Sequence, residues 1–228
     1  MKKIMNIKNI SGILMSELII AVTVIFTGCK KTPADSTAPM ITMNGRSTCF
    51  FQKGSLWNDP GASAIDDMDG TLTVNSSGGV STSLLGTYTI TYTAKDMSGN
   101  ISTKSRTIYV VDVEGTYSVM RIAPYPATAA GDTTYYNEFL FLAADLSGQL
   151  NYTTFSNYVN GLAYSYLQNT TQLTIPSQTI NCGAPAIDRN FSGSGTISNT
   201  LAPHTKITLN FTEVSGTTTV TRCIYNKL

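Results

Sequence analysis

Apolar and polar residues alternate most clearly over Gly86-Thr87-Tyr88-Thr89-Ile90-Thr91-Tyr92-Thr93-Ala94. Thr87, Thr89, Thr91 and Thr93 share one face, and Tyr88, Ile90, Tyr92 and Ala94 the other. That period of two predicts a half-buried β-strand. Shorter runs at Met40–Met43, Thr71–Val74 and Arg106–Val111 predict further strands. Turn chemistry separates them: Trp57-Asn58-Asp59-Pro60-Gly61-Ala62, Asp66-Asp67-Met68-Asp69-Gly70 and Asp96-Met97-Ser98-Gly99-Asn100. Each combines an Asx acceptor with glycine or proline. Short strands punctuated in this way predict a β-sandwich over residues 40–112.

The pattern restarts at Gly115-Thr116-Tyr117-Ser118-Val119 and runs to Leu228. Asn137–Ala144 is strongly apolar, Asp145-Leu146-Ser147-Gly148 turns it, and Gln149–Phe155 returns. Leu162–Leu167, Gln172–Ile175, Phe191–Ile197, Lys206–Phe211 and Thr217–Tyr225 complete a series of strands without sustained helical periodicity. Residues 115–228 are therefore expected to form an antiparallel meander, either an up-and-down barrel or a second sandwich. The fold class is all-β in two domains.

Ahead of the strands, Lys2, Lys3 and Lys8 precede a short apolar run, Leu18–Phe26, which ends at Phe26-Thr27-Gly28-Cys29. Charge, apolar core and a small residue at the cut make a secretory signal. A membrane span needs roughly 20 apolar residues, and Glu17 cuts this run short. A cysteine at the cut resembles the lipobox of bacterial lipoproteins. The resemblance implies that residues 1–28 are removed and that Cys29 carries the acyl chains, several of which together hold a protein on a bilayer. Residues 29–39, with two prolines and no apolar pattern, read as a solvated tether. The whole is similar to Bacteroidetes outer-membrane lipoproteins, which implies a lipid-anchored protein of the outer membrane. Lys30 and Lys31 stand where surface-exposed members often carry acids, so the cell surface and the periplasmic face both stay open. Asp35-Ser36-Thr37 and Asp132-Thr133-Thr134 resemble the O-glycosylation sequon of that group, with Ser36 and Thr133 as acceptors.

Trp57–Ala64, Asp66, Asp69-Gly70, Gly86-Thr87-Tyr88, Tyr92 and Asp96–Asn100 also resemble the bacterial surface Ig-like domains repeated in pesticidal crystal proteins. That likeness spans about a third of the chain. The opening Gly-x-Tyr and the late Gly-Ser-Gly-Thr-Ile strand give the second domain a faint likeness to lipocalin-like barrels. Asp59, Asp66, Asp67 and Asp69 are hard oxygen donors in neighbouring turns, the donor type calcium takes. Their other reading is turn capping through their own backbone, and Thr71 stands where family members often have a further acid.

Net charge is +1, with no basic footprint for a nucleic acid. Without Cys29, Cys49, Cys182 and Cys223 remain, and Cys182 and Cys223 are the candidate disulfide. His204 is the only histidine. It lies in a loop-like stretch without a Gly-x-Ser-x-Gly elbow, so triad chemistry has no frame. Glu138, Asp145 and Asp188 show no grouping as a carboxylate pair. Tyr135, Tyr136, Tyr152, Tyr158, Tyr164 and Tyr166 gather in the second domain. Aromatic faces of this kind suit sugars when exposed and pack a barrel wall when not. The expectation is a non-enzymatic binding or adhesion module without a cofactor, its partners the bilayer and a glycan or another envelope protein. The alternative is a lipocalin-like carrier of a small ligand.

Overall fold

The computed structural model describes residues 34–125, 127–158, 162–182, 188–198 and 205–228. It divides into two compact units, Met1–Thr37 and Ala38–Leu228. In the described part of the first, the Thr37 N–H donates to Asp35 Oδ1 at 2.9 Å and Ser36 is exposed.

The second unit begins with a sandwich. One sheet has the order β1 (Met40–Met43), β3 (Ala62–Asp66), β4 (Gly70–Leu72). The other has the order β2 (Thr48–Gln52), β7 (Ile101–Val111), β6 (Gly86–Lys95), β5 (Val74–Ser77), with β2 and β7 parallel. As the alternation predicts, Ile90, Tyr92 and Ala94 are buried and Thr87 and Thr89 face out. They meet Ile41, Cys49, Ala64, Ile108 and Val110 in the sandwich core. Arg106 is fully buried among them. Its guanidinium donates to Tyr92 Oη at 2.9 Å, to Asn44 O at 2.7 Å, to Gly61 O at 3.1 Å and to Arg46 O, and it lies 3.3 Å from Asp59. Four acceptors and one counter-charge satisfy a charge that burial would otherwise make very costly.

Eight antiparallel strands follow: β8 (Gly115–Ile122), β9 (Thr133–Leu142), β10 (Gln149–Tyr152), β11 (Ala163–Leu167), β12 (Gln172–Asn181), β13 (Asp188–Ser198), β14 (Lys206–Ser215) and β15 (Thr217–Lys227). Each pairs with the next, and β15 pairs back with β8 to close a barrel. Closure removes the free edges of an open meander. Eight strands leave an interior about one layer of side chains wide. Tyr117, Val119, Leu140, Leu150, Tyr152, Phe191, Ile207, Leu209 and Tyr225 fill it, all fully buried. On β13 a Cβ at Gly193 would stand 2.6 Å from Phe211 Cα, so the close approach of β14 requires glycine there.

The sandwich joins the barrel through β2 and the short 112–114 link. Phe50 stacks on Tyr109 at 4.9 Å and belongs to the barrel's apolar cluster, together with Val111 and Val113. The Gln52 amide donates to Asp112 at 2.8 Å and accepts the Val113 and Glu114 N–H groups. Phe50 N–H donates to Leu146 O, and Arg46 pairs with Asp145 at 2.8 Å.

Candidate functional site

The parity of each strand sorts the six clustered tyrosines. Tyr136, Tyr152 and Tyr158 point inward, whereas Tyr135, Tyr164 and Tyr166 point outward. The outward set has apolar company. On β9, Tyr135, Asn137, Phe139 and Phe141 all lie on the outer face, with Phe139 48% and Phe141 40% exposed. β10 presents Gln149 and Asn151 between β9 and β11. The register places Phe141 opposite Asn151 and Asn151 opposite Tyr164, with Gln149 opposite Tyr166.

The result is an outer surface on which two aromatic pairs flank a strip of amides. The Phe139 and Phe141 rings lie 6.4 Å apart and nearly parallel, at 24°. Tyr164 and Tyr166 lie 5.6 Å apart, edge to face. Two strand spacings, about 9.5 Å, separate the pairs. The amides are held in place: Tyr166 Oη donates to Gln149 Oε1 at 3.3 Å, Gln149 Nε2 to Asn151 Oδ1 at 2.8 Å, and Asn151 Nδ2 to Phe141 O at 3.3 Å. Single exposed apolar side chains are ordinary, whereas a contiguous exposed apolar patch rimmed by polar groups is the kind of surface that serves as an interaction site. Fixed amides between rings offer donors and acceptors at the level of the ring faces.

Polar groups also enter the barrel. Glu138 on β9 is 2% exposed, and its Oε1 accepts the Thr154 N–H at 2.7 Å. Burial pushes its carboxyl up to about 7, against the Thr154 N–H and the neighbouring Tyr225 hydroxyl, which both favour the charged form. Glu213 on β14, 3% exposed, pairs with Arg121 at 3.1 Å and with Arg189, and the Tyr158 hydroxyl donates to it. Arg121 Nε donates to Ser156 Oγ at 2.6 Å. Burial likewise pushes the Cys223 thiol up to about 12, which keeps it unreactive.

The remaining sequence-predicted residues fall as follows. Cys29 and His204 lie outside the described residues. Cys49, Cys182 and Cys223 are free thiols, which corrects the candidate Cys182–Cys223 disulfide. Cys223 points into the barrel from β15, Cys182 follows β12, and two whole strands separate those in the wall. That separation exceeds the reach of a disulfide. Thr133 opens β9 half-buried, while the Asp132 carboxylate accepts the Thr128 and Ala129 N–H groups. The four turn aspartates do not converge on one centre. Asp59 accepts from the Tyr92 hydroxyl and the Gly61 N–H beside Arg106; Asp66 Oδ1 caps its own turn through Met68 and Asp69 N–H; Asp67 is exposed; Asp69 accepts the Met97 N–H. Glu138 is inside the barrel, Asp145 pairs with Arg46, and Asp188 accepts from Asn181, so no two of them form a carboxylate pair.

Sequence reasoning named neither Phe139 nor Phe141 as site residues. Both sit in a run where inward and outward positions are alike apolar, so only the register reveals which rings are exposed.

Residues 41–110 match the family model described as "Bacterial surface protein, Ig-like domain". No curated protein matches the chain. Among solved structures, the chain is similar to the lipoprotein BT2262 from Bacteroides thetaiotaomicron, at 19% identity and a TM-score of 0.32, over 83% of this chain and 100% of that one.

Proposed function

We propose that the protein is a lipid-anchored envelope protein whose barrel binds polysaccharide on its outer face, with the Ig-like domain as the presenter. The observation that supports this most is the pair of outward aromatic surfaces, exposed Phe139 with Phe141 and half-buried Tyr164 with exposed Tyr166, around the tethered amides of Gln149 and Asn151. Sugar rings have apolar faces and hydroxyl edges. The first stack on aromatic rings and the second bond to amides, so rings and amides side by side suit a glycan better than an ion or a fully apolar ligand.

A binding role rather than a catalytic one is supported by Glu138 and Glu213, which lie inside the barrel and take hydrogen bonds or ion pairs there. Contacts among Tyr117, Tyr152, Phe155 and Tyr225, with ring centroids 5.2–6.1 Å apart, take up the middle of the barrel and remove support from the carrier reading. The anchor is Cys29, at the end of the leader. Native affinity electrophoresis of the mature chain through gels containing different soluble polysaccharides tests the reading. Retardation by at least one glycan, lost when Phe139 and Tyr166 are both replaced by alanine, is the expected outcome. Unretarded migration in every glycan contradicts it.

A further inference from the structure

Two turns of the Ig-like domain meet at one end of the sandwich. Asp66 closes β3 ahead of the Asp67–Asp69 turn, and Asp96 follows β6 ahead of the Met97–Ser98 turn. The bond from Met97 N–H to Asp69 Oδ2, 2.7 Å, ties the two turns together. Both aspartates are buried, Asp66 6% and Asp96 5% exposed, and carboxylate oxygens of the two come within 4.8 Å of each other.

Two carboxylates at this distance in a buried place repel one another unless a proton or a cation lies between them. Donors already occupy three of the four carboxylate oxygens. Asp96 accepts the Asn100 N–H at 2.7 Å and the Asn100 side-chain amide at 2.8 Å. Asp66 Oδ1 accepts the Met68 and Asp69 N–H groups, both at 3.0 Å. Among the described residues neither carboxylate has an ion pair with lysine or arginine. Asp66 Oδ2 is buried and accepts no hydrogen bond, an orphaned anionic oxygen on a side chain more than nine-tenths buried. An unpaired oxygen of this kind carries its full desolvation cost unless something outside the chain fills its valence.

We propose that Asp66 and Asp96 supply the protein carboxylates of a calcium site at this end of the Ig-like domain. The donors are hard oxygens, and no nitrogen or thiolate ligand stands with them, which suits calcium over zinc. Calcium takes six to eight oxygens in flexible geometry, so backbone carbonyls and water complete its shell. Of the four aspartates singled out in the sequence, only Asp66 takes part. Asp59 is committed to Arg106, Asp67 faces solvent, and Asp69 holds the Met97 N–H. Asp96, in the other turn, is the partner the sequence spacing hid. The site orders the two turns by linking them through one ion.

The mature chain, stripped with EDTA, is titrated with CaCl2 in a calorimeter and scanned for thermal unfolding with and without the ion. The expected result is saturable heat and a rise of several degrees in Tm with calcium, and no comparable rise with an equal concentration of MgCl2. D66N and D96N keep the turn acceptors but each removes a charge, and each abolishes the calcium-dependent rise. D67N removes a charge from the same turn at an exposed position and keeps it. Absence of heat and of a Tm rise in the wild-type chain overturns the proposal without recourse to any variant. An equal response to magnesium, or a response retained in D66N, overturns it as well.

Discussion

Glu138→Gln isolates the effect of one ionisable group in the barrel. Glu138 lies among Tyr136, Tyr225 and Cys223, with Thr154 N–H on one oxygen. Its other oxygen has no hydrogen-bond partner of ordinary geometry. Burial, the largest influence, moves the carboxyl from the ordinary 4.5 up to about 7. The folded protein therefore holds the proton more tightly than the unfolded chain does. Below about pH 4.5 both states are protonated and the group contributes no pH dependence. Between 4.5 and 7 the unfolded chain releases its proton while the folded one keeps it, so stability falls as pH rises. Above 7 the folded state carries a buried carboxylate. Its full cost follows from the gap between 4.5 and about 7, at about 1.4 kcal/mol per pH unit, which gives about 3 kcal/mol. Glutamine keeps a carbonyl for Thr154 N–H and cannot ionise. The difference in unfolding free energy between E138Q and wild type should therefore grow by about 3 kcal/mol in favour of the variant from pH 4 to pH 8. Urea unfolding followed by tyrosine fluorescence at several pH values measures it, since every other titrating group cancels in the difference. Parallel pH profiles for the two proteins would refute the argument.

Further consequences test other parts of the structure. Arg106→Met takes the counter-charge from Asp59 and the donor from several carbonyls and should cost about 3–5 kcal/mol; Arg106→Lys should recover little, because a point charge cannot reach acceptors on three sides. Urea midpoints check both, and a loss under 1 kcal/mol for R106M would contradict the reading. Gly148 sits at φ +79°, and a Cβ there would lie 2.5 Å from the Phe50 ring. Gly148→Ala should therefore cost about 2 kcal/mol or more and separate the unfolding of sandwich and barrel in a calorimetric scan, whereas an unchanged single profile would contradict the junction. Cys29→Ala should move the protein from the membrane fraction to the soluble one, and its persistence in membranes would refute the anchor.

Alternation exposes a strand well where one face is buried and the other solvated. Gly86–Lys95 has that form, with threonines outward. Thr48–Gln52 escapes the pattern because neighbouring residues serve different cores: Cys49 packs in the sandwich, and Phe50 in the barrel cluster. Adjacent buried residues break a period of two. Val74–Ser77 is a short polar edge strand with little to mark it. Nothing local marks Arg106 as buried, since its acceptors come from Asn44, Arg46 and Gly61, far away in sequence. The choice between barrel and second sandwich depended on whether β15 returns to β8, a pairing over more than a hundred residues that no local signal encodes. The aromatic surface was half legible. The tyrosines stood out as a group, but adjacent Tyr135 and Tyr136 face opposite ways, and Phe139 with Phe141 gains meaning only beside Asn151 and Tyr164.

The central claim is that the outer face of β9, β10 and β11 holds a glycan. Isothermal titration with the polysaccharide that retards the mature chain most strongly, against wild type, Phe141→Ala and Leu150→Val, addresses it directly. Phe141 is outside and Leu150, on the next strand, is inside. A central aromatic anchor is worth about 2 kcal/mol, or roughly thirtyfold in affinity. The account predicts a loss of that order for F141A with its Tm little changed, and unaltered affinity for L150V despite a lower Tm. Equal affinity for F141A and wild type would contradict it.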